Sequence, residues 1–150
     1  MLKLAFYKYK HRSGLKGLWD FLVRVWTRGT YSHVELIFSD NIWFSASLQD
    51  NGVRFKCIDY EKEKWDIIEI PSTKDEECIC REYAKSKIGC KYDIIGIFFT
   101  QIWHIDVEDK NRYFCNEIVH ATLQQMFLFK GVKPYSYNPN SFHKLVVRNL

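Results

Sequence analysis

Between Tyr31 and Ile70 the chain runs in four short segments of alternating or apolar character, with only a few residues between them. "YSHVELIFS" (31–39), "IWFSAS" (42–47), "GVRFKCID" (52–59) and "WDIIEI" (65–70) each have the length and period of a strand, and "SDN" and "QDNG" mark tight turns between the early ones. Connections this short cannot hold a crossover, so neighbouring strands must run antiparallel. "LKLAFYKY" (2–9) reads as an earlier strand.

The second half changes period. Residues 74–88 read as a polar helix and 92–102, "YDIIGIFFTQI", as an apolar one eased by Gly96. From 115 to 126 one stripe holds Cys115, Ile118, Val119, Thr122, Leu123 and Met126. Pro139 suits a helix start, with Asn138 as its cap. A further amphipathic helix is predicted over 14–29, with Leu15, Leu18, Trp19, Leu22, Val23 and Trp26 on its stripe and Gly29 closing it. Strands grouped together, then helices, give an α+β class: a small antiparallel sheet or barrel packed against helices. The 150 residues fit a single domain, 1–150.

Hydrophobic residues at 47% allow a packed core, and 27% charged residues argue against disorder. No apolar run reaches the roughly 20 residues of a bilayer span. The start, "MLKLAFYKYKHRSG", is too charged for a secretory signal, so a cytoplasmic location is expected. Five cysteines, an odd number with no CxxC pair, fit neither a disulfide framework nor a zinc clamp; most are expected to be small buried hydrophobes. No metal or other cofactor is expected. The first 30 residues carry seven basic side chains against Asp20 alone, a net of +6, so this end offers either a solvated face or a contact for an anionic surface. The basic residues form no nucleic-acid recognition motif.

Cys115 stands where a helix begins. There the positive end of the helix lowers a thiol pKa, and unpaired N–H groups can hold an oxyanion. A first-turn cysteine on an apolar stripe is also what simple packing requires, so a base must be found. Alternation in 31–39 sends Val34, Leu36 and Phe38 to one face and Tyr31, His33 and Glu35 to the other. His33 and Glu35 then point the same way, about 7 Å apart, and the carboxylate can fix the imidazole tautomer. Among the other histidines, His120 lies about 140° around the helix from Cys115, His143 reads as exposed and His11 sits in a basic turn. His104, in the loop before the cysteine, competes with His33 as the base.

Taken together, "TRGTYSHVELIF", "KYDIIGIFF", "YFCNEIVHATLQ" and "NPNSFHKL" resemble the permuted papain-like cysteine peptidases and amidases allied to the NlpC/P60 superfamily. The nearest-looking branch is the YiiX/YebB-like set of small phage- and bacterium-encoded proteins with an H-x-E strand. The resemblance covers about residues 2–145 and implies a circularly permuted papain-like fold, in which the histidine strand precedes the cysteine helix. It implies Cys115 as nucleophile, His33 as base and Glu35 as the H-x-E glutamate. The family more often writes the cysteine motif C-S-E; here it is Cys115-Asn116-Glu117, with Asn116 expected to cap. The orienting residue falls on the next strand in many relatives, which points to Ser45, unless Glu35 takes that role or the site runs as a dyad. Tyr31 is a further candidate, as a hydroxyl donor to the oxyanion.

The activity so implied is hydrolysis of an amide or ester bond, with a peptidoglycan stem peptide, a peptide or a lipid amide as substrate. The alternative is a binding module on the same fold, with the basic first 30 residues and Trp19, Trp26 and Trp43 engaging an anionic membrane surface or polymer.

Overall fold

Alternating side chains build the first strand of the sheet. In β1 (Leu2–Tyr7), Leu2, Leu4 and Phe6 enter one core and Ala5 and Tyr7 enter another. The computed structural model describes residues 1–8, 29–93 and 111–150. Strand β1 pairs antiparallel on one side with β2 (His33–Ile37) and on the other with β5 (Trp65–Ile70). Beyond β2 come β3 (Trp43–Ser47) and β4 (Gly52–Lys56), giving the order β4-β3-β2-β1-β5. All these neighbours are antiparallel, as the short connections require for β2–β3 and β3–β4. Among the described residues β4 and β5 do not pair, so the sheet is open rather than a closed barrel.

Among the described residues three α-helices follow: α1 (Lys74–Ser86), α2 (Cys115–Leu123) and α3 (Pro139–Asn149). The first and third are capped by side chains. Thr73 caps α1 in a reciprocal pair, its Oγ1 accepting from Glu76 N–H while its own N–H donates to Glu76 Oε2. Asn138 Oδ1 accepts from Asn140 N–H and Ser141 N–H, with Pro139 in the first turn of α3. The apolar stripe continues past α2 into a 3₁₀ turn, Gln124–Met126, which Phe127 ends in the left-handed conformation. The class is therefore α+β, with a five-stranded antiparallel sheet and three α-helices among the described residues.

Two differences from the sequence expectation concern the middle of the chain. Residues 91 and 92 form a short strand, β6 (Lys91–Tyr92), parallel to β7 (Arg112–Tyr113), so the predicted helix does not begin at Tyr92. Its part from residue 94 onward, and the predicted helix over 14–29 except for Gly29, lie outside the described residues. So do Trp19, Trp26, His11 and His104.

The main core lies between the sheet and the helices. Leu4, Phe6, Val34, Leu36 and Phe44 meet Ile118, Val119 and Leu123 of α2 and Phe142 and Val146 of α3. Each large side chain buried there contributes about 1.5–3 kcal/mol. Helix α2 lies across β2 and β3, which brings its first residue to the strand that begins with His33. The sheet's other face carries a smaller cluster of Ala5, Tyr7, Ile37, Trp43 and Trp65. The outer edge of β4 is closed by the Gly89–Cys90 turn, through Val53 N–H to the Cys90 carbonyl and Gly89 N–H to the Val53 carbonyl. Gly52 permits that approach. It has φ +140°, and a Cβ there would stand 2.1 Å from the Cys90 oxygen.

Candidate active site

Cys115 is the first residue of α2, and Phe114 is its N-cap. The first hydrogen bond within the helix runs from Ile118 N–H to the Phe114 carbonyl. The N–H groups of Cys115 and Asn116 thus precede the ladder, where the helix dipole is positive. Asn116 does not cap, contrary to expectation. It lies inside the helix, where its amide donates to the Tyr137 carbonyl and ties the start of α2 to the approach of α3.

His33 opens β2, and its burial, Cys115 and Glu35 set its state. Its Nε2 lies 2.8 Å from Glu35 Oε1, which leaves Nδ1 as the nitrogen available to the thiol. Burial by itself would push the imidazole pKa down. The charge and hydrogen bond of the Cys115 sulfur, together with Glu35, outweigh it and raise the value to about 10. The imidazolium is therefore the favoured form of His33. Glu35 has 1% of its side chain exposed. Burial opposes its charge, but Arg54 and His33 reverse that effect and hold its pKa below the usual carboxylate value.

The structure thus brings Cys115, His33 and Glu35 together, and shows a partner that sequence reasoning passed over. Arg54 of β4 donates from Nη1 to Glu35 Oε2 at 2.7 Å and from Nη2 to Oε1 at 2.6 Å. Its Nε donates to Asp50 Oδ2 at 2.9 Å, and Lys56 donates to Asp50 Oδ1 at 2.8 Å. The register explains the reach. Glu35 pairs with Ala5 on one side, and Ser45 pairs with Arg54 on the other. Continuing the β2–β3 pairing of Leu36 with Phe44 places Ser45 opposite Glu35. Two small residues flank the carboxylate, and Arg54 extends over Ser45 to meet it. A period-2 pattern on β4 could have placed Arg54 on the face of Glu35, but only the pairing of three strands puts it in the same row.

Ser45 and Tyr31 are committed elsewhere. The Ser45 hydroxyl, fully buried, donates to the Val34 carbonyl at 2.7 Å. The acid that contacts the imidazole is Glu35, not Ser45. Tyr31 lies ahead of the strand, so the alternation that would put it on the face of His33 does not extend to it. Its ring packs on Phe6 and His143, and its hydroxyl donates to Asp66 Oδ2 at 2.8 Å. Burial and the Asp66 carboxylate push the phenol pKa up to about 12. That proton is already placed, so Tyr31 does not present it to an oxyanion here.

His143, expected to be exposed, is half-buried against Tyr31 and Phe6. His120 is fully buried among Phe129, Tyr137 and Phe142. Two cysteines also depart from expectation, since Cys57 and Cys78 are exposed; all five thiols are free.

A cleft of about 190 Å³ adjoins the imidazole, with His33, Glu35, Arg54, Tyr7 and Trp65 among its walls. Among the described residues no group of three or more His, Cys, Asp or Glu is placed to hold a metal, and no helix is long and apolar enough to cross a membrane. Comparison with family models, with curated proteins and with solved structures finds no match for this chain.

Proposed function

We propose that this chain is a cysteine hydrolase of amide or ester bonds, built on a circularly permuted papain-like fold of the NlpC/P60 kind. The observation that carries the reading is the placement of one imidazole. His33 stands between a sulfur at a helix N-terminus and a carboxylate held ionised in the sheet.

In this reading His33 takes the Cys115 proton and the thiolate attacks the substrate carbonyl carbon. The Cys115 N–H faces the oxyanion of the tetrahedral adduct. The C–N or C–O bond breaks as the imidazolium returns its proton to the leaving amine or alkoxide, leaving a thioester on Cys115. Water, deprotonated by His33, attacks that thioester and releases the acid. Glu35 keeps the ring in the productive tautomer throughout and does not itself take the proton. A peptide, a peptidoglycan stem peptide or a lipid amide supplies the acyl group.

The test is acyl-enzyme formation. On incubation with p-nitrophenyl acetate, intact-protein mass spectrometry should show one acetyl group, mapping to Cys115. It should be absent in Cys115→Ala and His33→Ala. Acetylation confined to Cys57 or Cys78 in the wild type would refute the assignment.

A further inference from the structure

The cation behind the carboxylate needs a reason to be there. Arg54 spends all three guanidinium nitrogens on two acids, with 15% of its side chain exposed and 1% of Glu35 exposed. A buried ion pair adds little stability compared with apolar residues of the same volume, so stability alone does not account for it. Glu35 Oε1 accepts from both Arg54 Nη2 and His33 Nε2, so one oxygen joins the guanidinium to the imidazole. A carboxylate this buried and without a cation would take up a proton. The imidazole would then lose the charged acceptor that turns Nδ1 toward the sulfur. The bidentate fork also fixes the carboxylate plane, which a single ammonium contact does not.

We propose that Arg54 is a positioning residue for the acyl-transfer site: by clamping the Glu35 carboxylate across β3, it sets the orientation and charge of the His33 ring presented to Cys115. Asp50 and Lys56 complete the row by anchoring Arg54 from the solvent side. Among the described residues, the titratable groups around the imidazole and its carboxylate are Cys115 from α2, Tyr7 from β1, and Asp50, Arg54 and Lys56 from β4 and its turn. The proposal rests on Cys115 and His33 forming the reacting pair.

Two readouts test it separately. The first is the His33 ring titration, followed by NMR in Arg54→Met, Arg54→Lys, Glu35→Gln and the double variant E35Q/R54M. The second is the rate of Cys115 alkylation by iodoacetamide, resolved by peptide mass spectrometry between about pH 5 and pH 9. In Arg54→Met the acid limb of alkylation should move up by about one pH unit, which is about tenfold slower reaction on that limb. The His33 titration midpoint should fall as well. Arg54→Lys should recover part of both changes. In the Glu35→Gln background, loss of Arg54 should change neither, because the carboxylate through which it acts is gone.

A folded Arg54→Met protein with wild-type titration and alkylation profiles overturns the proposal, as does an equal shift in the Glu35→Gln background. Should Arg54→Met fail to fold, E35Q/R54M against Glu35→Gln decides it: coincident profiles support the clamp and divergent ones refute it. If the His33 midpoint moves as expected while Cys115 alkylation is indifferent to His33→Ala, the clamp stands and the acyl-transfer reading falls.

Discussion

His33 Nε2 lies 2.8 Å from Glu35 Oε1, two residues further along the same face of one strand. This pairing leaves the other ring nitrogen to the thiol, and its charge helps raise the imidazole pKa to about 10. Glu35→Gln retains a hydrogen-bonding oxygen and removes the charge. The His33 midpoint should fall from about 10 toward the ordinary histidine value, and ester turnover should drop by about 10²-fold or more. An NMR titration of the ring and a p-nitrophenyl ester assay check this.

Ser45 serves the site by being small. Ser45→Ala loses one hydrogen bond to the Val34 carbonyl, a loss of about 1 kcal/mol, and should keep its esterase rate. Ser45→Leu would occupy the path by which Arg54 reaches Glu35. It should destabilise by roughly 1–3 kcal/mol and lower the rate as well. Urea denaturation and the ester assay on both variants separate a spacer from an orienting hydroxyl.

Acid sensitivity is expected from His120. It is fully buried, and among the described residues neither ring nitrogen makes a hydrogen bond of good geometry. Burial pushes its pKa down to about 4, with a smaller opposing effect from the Phe129 backbone. A base whose folded pKa is depressed binds protons more readily when unfolded. Stability from the neutral ring is therefore full above the unfolded value near 6.5 and is lost as pH falls toward 4. The loss amounts to roughly 3 kcal/mol. His120→Leu should remove this component, and the difference between the two stability–pH curves in urea measures it.

Gly52 is a backbone requirement. Its φ of +140° and the 2.1 Å that would separate a Cβ from the Cys90 oxygen both exclude a side chain. Gly52→Ala should destabilise by at least ~1–3 kcal/mol, lowering the thermal midpoint and loosening the β4 edge beside Arg54. Calorimetry and amide exchange at Val53 check it.

Local pattern made much of this legible. Alternation located the five strands, the short turns dictated the antiparallel pairing of β2, β3 and β4, and the stripe beginning at Cys115 located α2. The spacing of His33 and Glu35 put both side chains on one face of β2, because that relation depends on a single strand. Arg54 was not legible, since it lies 19 residues from Glu35 and meets it only through the register of β3. Tyr31 misled because strand alternation was carried past His33, where the chain turns toward Asp66 and α3 instead. His143 was misjudged for a related reason: its burial comes from Tyr31 and Phe6, both more than a hundred residues away in sequence.

The most direct measurement is the rate at which iodoacetamide alkylates Cys115 at neutral pH, resolved from Cys57 and Cys78 by peptide mass spectrometry, in wild type and in His33→Ala. A thiolate maintained by the imidazole should react about 10²-fold faster in the wild type than in the variant. Equal rates in two folded proteins would mean that His33 does not activate the sulfur, and Cys115 would be a packing residue at the start of a helix.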